Sequence, residues 1–318
     1  MQNAKKVKHF THTDFDGVGC AVISMLSYGK ENVDVEYCDY DNIDNKVSYF
    51  LDNPDGVYSK VLITDISVNE DVAKRIQLEH DDQPNVFQLL DHHNTAKWLN
   101  KYDWAFVYSQ YEDKQEERIA LTSGTSILFN YLNNSMDIPD GLADFAEQAR
   151  RYDTWEWDNI YGAILPKELN DYLYMVGRDK FIKTMISSIT TNNSNEETYF
   201  DVTARSLLNQ RNKEIKEYIR IKNKQLKIIP VAENEYIGFC FAEQHVSELG
   251  NELCKMNPDI KYVMILDMGT EKVSFRTIRD DIDLGQIAKA YNGGGHPKAS
   301  GGKISDILID TFVAEFIE

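Results

Sequence analysis

HTDFDGVG, residues 12–19, follows VKHFT, Val7–Thr11, and precedes the small and apolar run GVGCAVISMLSYG. The first segment reads as a β-strand and the run as a helix, with a tight turn between them. His12, Asp14 and Asp16 stand at alternating positions. Alternate side chains of an extended segment point the same way, which would gather one imidazole and two carboxylates in one small volume. Crowded carboxylates raise each other's pKa unless a cation sits between them. An Asp- and Gly-rich turn that only caps a helix accounts for the same letters. The two readings part further along the chain.

Outward from this turn, strand-like and helix-like segments alternate. VDVEYCDY (33–40), YSKVLITDIS (58–67) and NVFQLLDHHN (85–94) read as strands, and NEDVAKRIQLEH (69–80) as an amphipathic helix. LTSGTSILFNYLNN enters a helix through Ser/Thr caps, and GLADFAEQARRYDTWEW gives another that ends near Asp153. This alternation predicts an α/β domain with a doubly wound, mostly parallel sheet over residues 1–188. SSITTNNSNEE (187–197) lacks apolar spacing and reads as a loop, followed by a charged connecting helix from Tyr199 to Gln225; residues 189–226 form the linker. KIIPVA, YIGFCFA, KYVMILDMG and KVSFRTI read as strands, with helices at SELGNELCKM and LGQIAKAYN. They predict a smaller α+β domain over 227–318.

The 318 residues carry a net charge of −18. Phosphate neutralisation supplies most of the affinity for long DNA or RNA, so this balance argues against a long polyanionic partner. No apolar run approaches the length that spans a bilayer, and MQNAKKVKHF lacks the core of a signal peptide. The four cysteines form no CxxC pair, which suits a reducing cytoplasm. Cytoplasmic location and no membrane partner are the expectations.

Three strands end in metal-capable residues: His12, Asp14 and Asp16 after the first, Asp65 after a later one, and Asp91, His92 and His93 after another. In an open parallel sheet these ends share the edge that forms the binding crevice. Carboxylate and imidazole ligands without cysteine favour Mn²⁺, Mg²⁺, Fe²⁺ or Zn²⁺. So many ligands exceed the needs of one ion, and a shared Asp could bridge two. Two ions about 3.5–4 Å apart are a common tool for hydrolysing phosphate esters.

The sequence resembles the DHH family of phosphoesterases. HTDFDG matches the family's first motif, LITDIS the second, Asp91-His92-His93 the third, and Asp153 in RRYDTWEW the fourth. The resemblance implies one ion held by His12, Asp14 and Asp65, and a second held by Asp16, Asp65, His92 and Asp153. Mn²⁺ is the expected metal. It also implies catalytic parts for Asp65 as the bridge, Asp91 as the group orienting an imidazole, and His93 beside the scissile phosphate.

YNGGGHPKASGG (291–302) holds three consecutive glycines that would let backbone N–H groups approach an anion. The stretch from Leu284 to Ser305 holds no carboxylate but three lysines, Lys289, Lys298 and Lys303, and VSFRTIR places Arg276 and Arg279 on a strand. GGGH with a following SGG and an upstream Ser274-Phe275-Arg276 resembles the DHH-associated C-terminal domain. That resemblance implies that Arg276, Gly294, Gly295, His296 and Ser300 hold the substrate's phosphate or terminal nucleotide. Within the family the chain looks like the stand-alone oligoribonucleases, which degrade RNA of a few residues. The expected function is metal-dependent hydrolysis of short oligonucleotides to mononucleotides. A linear-dinucleotide phosphodiesterase, a 3′-phosphoadenosine 5′-phosphate phosphatase and a non-catalytic binding module are the alternatives. Trp155, Trp157 and Tyr161 are candidates for stacking bases. The oligomeric state is left open, a homodimer included.

Overall fold

A computed structural model describes residues 6–53, 56–80, 85–114, 116–191 and 199–304. The chain divides into two compact units, Met1–Leu208 and Asn209–Glu318.

The first unit is built on five parallel strands, β1 (Lys6–His12), β2 (Val33–Cys38), β3 (Tyr58–Thr64), β4 (Phe87–Asp91) and β5 (Ala105–Val107), in the order β2-β1-β3-β4-β5. Alternate side chains of each strand feed two cores. Val7, Leu62 and Leu90 pack on one face against α1 (Phe15–Tyr28), α4 (Gly124–Asn133), α5 (Gly141–Asp153), α7 (Leu165–Val176) and α8 (Arg178–Thr191). Phe10, Val61, Ile63 and Leu89 pack on the other against α2 (Ile43–Asp52), α3 (Glu70–Glu79) and a 3₁₀ turn at Asn94–Lys101. Helices on both faces require strands that are apolar on both sides, and β3 and β4 have that composition. The order places a topological switch between β1 and β3, where ligands bind in such sheets.

A helix α6 (Glu156–Asn159) and an antiparallel hairpin, β6 (Gln110–Asp113) with β7 (Arg118–Leu121), complete the unit. Helix α9 (Val202–Gln225) gives Ala204 and Leu208 to the first unit's core and Ile215 and Ile219 to the second's. The second unit is a six-stranded mixed sheet. Its strands are β8 (Lys227–Ala232), β9 (Glu235–Phe241), β10 (Ile260–Asp267), β11 (Lys272–Arg276), β12 (Gly294–His296) and β13 (Ala299–Lys303), in the order β12-β13-β11-β10-β9-β8. β9 and β10 are parallel and the other pairs antiparallel. α10 (Val246–Met256) buries Leu249, Leu253 and Cys254 against this sheet, and α11 (Leu284–Ala288) buries Leu284 and Ala288.

Several expectations change. The polar stretch expected to be a loop begins inside α8, which buries Phe181, Ile182, Met185 and Ile189 together with Ser188, while Ser187, Thr190 and Thr191 are exposed; residues 192–198 lie outside the described residues. The first helix starts at Phe15, with Asp14 as its cap accepting from the Gly17 N–H. Asp16 is therefore helical and not part of an extended alternation. The GGGH segment is a β-hairpin strand and not an open loop. Arg279 falls beyond the end of β11.

His9 is fully buried in β1 between the Ser24 and Thr64 hydroxyls, each 2.8 Å from a ring nitrogen. Burial lowers its pKa to about 3. The unfolded chain takes up a proton near pH 6.5 that the folded chain refuses until near pH 3, so this contribution to stability is complete above pH 6.5 and fades as pH falls. His9→Gln should remove a slope of up to about 1.4 kcal/mol per pH unit from wild-type stability between about pH 4 and 5.5. Urea unfolding at fixed pH measures it, and parallel wild-type and variant curves would contradict it.

Candidate metal centre

β1, β3 and β4 are neighbours, so their carboxyl ends lie side by side and bring His12, Asp65 and Asp91-His92-His93 to one edge. Asp14 and Asp16 come from the cap and first turn of α1, and Asp153 from the last residue of α5. Three overlapping groups have ligand atoms within 4.8 Å of one another: His12, Asp14 and Asp65; Asp16, His92 and Asp153; Asp65, Asp91, His92 and His93.

Asp65 lies at the centre. Its Oδ2 is 3.9 Å from His12 Nδ1 and its Oδ1 is 3.2 Å from His92 Nε2. His12 Nδ1 is 3.0 Å from Asp14 Oδ2. His92 is also 3.8 Å from Asp16 Oδ2 through Nε2 and 3.6 Å from Asp153 Oδ2 through Nδ1. The two oxygens of Asp65 thus face two different imidazoles.

Electrostatics set these groups apart. Burial, followed by the charges of Asp16 and Asp14, pushes Asp65 and Asp153 well above the usual carboxylate range. Burial and the neighbouring His93 lower His92. For Asp14, burial acts upward, but His12 outweighs it and brings the carboxyl to about 2; the same contact raises His12 against its own burial. Asp91 belongs to a different circuit. Its Oδ1 accepts from His93 Nδ1 at 2.7 Å and from the His92 and His93 backbone N–H groups at 2.7 and 3.3 Å. Burial disfavours the His93 charge, yet Asp91 more than compensates and raises the imidazole to about 9.

The donor set fits divalent ions. Asp65, 1% exposed, has an Oδ2 with no hydrogen-bond partner, and the buried His12 Nδ1 has the Asp14 carboxylate at 3.0 Å but without hydrogen-bond geometry. Buried polar atoms seldom stay unsatisfied, and a cation between this oxygen and this nitrogen would satisfy both. Hard oxygens mixed with imidazole suit Mn²⁺, Mg²⁺, Fe²⁺ or Zn²⁺.

The first turn of α4 is a part of the site that motif reading passed over. Asp16 accepts from the Gly124 N–H at 2.6 Å and the Thr125 N–H at 2.9 Å, at the positive end of that helix. A Cβ on Gly124 would sit 2.5 Å from Asp65 Cβ, so only glycine lets the two carboxylates approach. Its signal in the sequence is a lone glycine between helix-capping hydroxyls, Ser123-Gly124-Thr125. A buried ion-pair network lies near Asp153 in sequence, at the end of α5. Arg150, 2% exposed, donates to Glu156 at 2.8 Å, and Arg118 joins them from the hairpin at 2.8 Å.

Two of the three aromatic candidates are spent on packing, and Trp155 is half-buried with its ring 5.5 Å from that of Trp157. Trp157 is buried, and Tyr161 lies under the Arg151 guanidinium with its hydroxyl on Glu116. Tyr40, which motif reading also passed over, has its hydroxyl 3.1 Å from His93 Nε2.

In the second unit, Arg276 ends β11 and donates to Ser247 Oγ at 2.9 Å and to the Phe275 carbonyl at 2.8 Å. Gly295 has φ +136° and sits opposite Ser300 in the hairpin register, whereas a Cβ on Gly294 would meet nothing within 4 Å. His296 is exposed, and the Ser300 hydroxyl donates to the Leu284 carbonyl. The positive island is weaker than its sequence: Lys298 pairs with Asp280 at 2.6 Å and Arg279 with Asp281 at 2.6 Å, from the acidic stretch just upstream.

Residues 235–318 match the family model of the DHHA1 domain. The chain is 39% identical over 310 residues to Oligoribonuclease NrnB of Bacillus subtilis (strain 168), across 96% of this chain and 75% of that protein. RecJ from Thermus thermophilus, in complex with Mn²⁺, aligns with a TM-score of 0.61 and 13% identity over 98% of this chain and 51% of RecJ. PggH, a pGpG-specific phosphodiesterase from Vibrio cholerae, aligns with a TM-score of 0.55 and 14% identity over 98% of each chain. At such identities the structural likenesses bear on fold alone.

Gly124→Ala should force Asp65 aside and weaken Mn²⁺ binding about 10-fold or more, the range seen when groups supporting a ligand are lost. Calorimetric titration with Mn²⁺ on variant protein of native circular dichroism reads the effect; wild-type affinity would contradict it.

Proposed function

This chain belongs to the DHH family of phosphoesterases and carries a DHHA1 domain, and from that premise we propose that it hydrolyses short RNA oligomers to mononucleotides in the cytoplasm. The observation that carries the reading is the cluster of carboxylates and imidazoles around Asp65. The 39% identity to an oligoribonuclease along nearly the whole chain supports the substrate class. A net charge of −18 supports a short substrate over a long strand. Four free cysteines, all buried, are consistent with a reducing compartment, and no helix among the described residues is long and apolar enough to cross a membrane.

His12, Asp14 and Asp65 would hold one divalent ion, and Asp16, Asp65, His92 and Asp153 the other. When bound, the pair, Mn²⁺ on this reading, supplies activation of water and neutralisation of phosphoryl charge. Asp65 suits the shared position because its oxygens face His12 and His92 separately. Asp91 fixes the His93 ring by accepting from Nδ1, and Nε2, already 3.1 Å from the Tyr40 hydroxyl, is the ring atom on the substrate side in this reading. His93 then stabilises charge on the departing oxygen or protonates it. Water adds at phosphorus, the bond to the ribose oxygen breaks, and a mononucleotide leaves. Arg276, Gly294, Gly295, His296 and Ser300 are assigned to the phosphate or terminal nucleotide of the substrate, in keeping with the exposed His296 and the open space at Gly294.

Purified protein should convert an RNA pentamer to mononucleotides with Mn²⁺ stimulation, and Asp65→Ala or His92→Ala should each lower the rate more than about 100-fold, because even outer partners of metal ligands cost about 10- to 100-fold. Undiminished rates in both variants would remove the assignment. Turnover of a dimer, the pentamer and 3′-phosphoadenosine 5′-phosphate at equal concentration ranks the substrates, and faster hydrolysis of the last would replace the oligoribonuclease reading with a phosphatase.

A further inference from the structure

We propose that Tyr40 forms a nucleobase subsite at the rim of the metal centre, its ring stacking on the base joined to the phosphate being cleaved; this rests on the phosphodiesterase reading above and names how it grips a nucleoside. Tyr40 lies in the turn that follows β2. Asp39 shapes that turn, its carbonyl accepting from the Asn42 and Ile43 N–H groups at 3.0 Å each. The Thr13 hydroxyl donates to Asp39 Oδ1 at 2.9 Å, and Thr13 stands between His12 and Asp14. The turn is therefore tied to the loop that carries two of the candidate ligands.

The ring itself is fastened at the cluster. Its hydroxyl is hydrogen-bonded to His93 Nε2 at 3.1 Å, and its centroid is 5.2 Å from the His12 ring and 6.1 Å from the His93 ring. Even so, Tyr40 is 61% exposed. A large aromatic side chain held in place by its tip and still mostly open to solvent is preorganised for a planar ligand, since little conformational freedom remains to be lost. Stacking tolerates every base because each has a π face. The phenol carries no positive charge, so it suits the base and not the phosphate. One ribose separates a base from its phosphate, comparable with the gap between this ring and the imidazoles. Of the residues that the sequence offered for stacking, Trp157 is buried, Tyr161 is covered by Arg151, and Trp155 is half-buried with its ring 5.5 Å from that of Trp157.

The test compares AMP with ribose 5-phosphate, which lacks the base, by calorimetric titration in Mn²⁺ for wild type, Tyr40→Phe and Tyr40→Ala. Wild type should bind AMP about 5-fold or more tighter than ribose 5-phosphate, Tyr40→Phe should keep a smaller preference because the ring stays but loses its tether to His93, and Tyr40→Ala should bring the ratio near one. Mn²⁺ stoichiometry should be equal in all three. A wild-type ratio near one, a ratio that persists in Tyr40→Ala or collapses in Tyr40→Phe, no AMP binding at all, or loss of metal in Tyr40→Ala would each overturn the proposal. Wild-type hydrolysis of an RNA dimer, measured alongside, bears on the function separately: no hydrolysis with the AMP preference and its Tyr40 dependence intact would sink the phosphodiesterase reading alone.

Discussion

Asp65, Asp16 and Asp91 are buried at one edge of one sheet, and the way each carboxylate is compensated governs the rest of the site. Burying an ionised carboxylate is costly unless it is paired or hydrogen-bonded. Asp91 is compensated by His93 and two backbone N–H groups. Asp16 is compensated by the first N–H groups of α4. Asp65 has only the His92 imidazole, 3.2 Å from its Oδ1. It occupies the left-handed region at φ 57°, a conformation that costs a residue other than glycine about 1–3 kcal/mol, and its Oδ2 has no partner. A divalent cation would supply the missing compensation, and the strained backbone at Asp65 lies where that ion would bind.

The fold delivers that arrangement by ordinary means. A doubly wound sheet with the order β2-β1-β3-β4-β5 opens a crevice where the chain switches faces, between β1 and β3. His12 and Asp65 are the last residue of one strand and the first residue beyond the other. Helices then deliver what strands cannot. α1 carries Asp14 and Asp16, α4 arrives close enough to share Asp16 because Gly124 has no side chain, and α5 ends on Asp153.

The parallel sheet was legible in the sequence because strand-like and helix-like segments alternate and His12, Asp65 and Asp91 stand at the ends of three of the strands. The hairpin of β6 and β7 was not, since QYED and RIAL are short, and its fastening depends on Arg118 reaching Glu156, far along the chain. The ligand types and their strands could be read, but not the geometry of Asp16. Alternation predicted an extended turn, whereas capping by Asp14 starts the helix two residues earlier and turns Asp16 toward α4. In the second unit, the basic island looked stronger than it is because Asp280 and Asp281 lie just outside the stretch and fold back onto Lys298 and Arg279. Tyr40 carries no motif; only the folded turn sets it beside His93.

The direct measurement is anomalous diffraction at the manganese edge from crystals of the wild-type protein grown with Mn²⁺. Two peaks about 3.5–4 Å apart are expected, one among His12, Asp14 and Asp65 and the other among Asp16, His92 and Asp153, with an Asp65 oxygen near both. Absence of peaks there at saturating Mn²⁺, or one ion that leaves Asp65 out, would contradict the account.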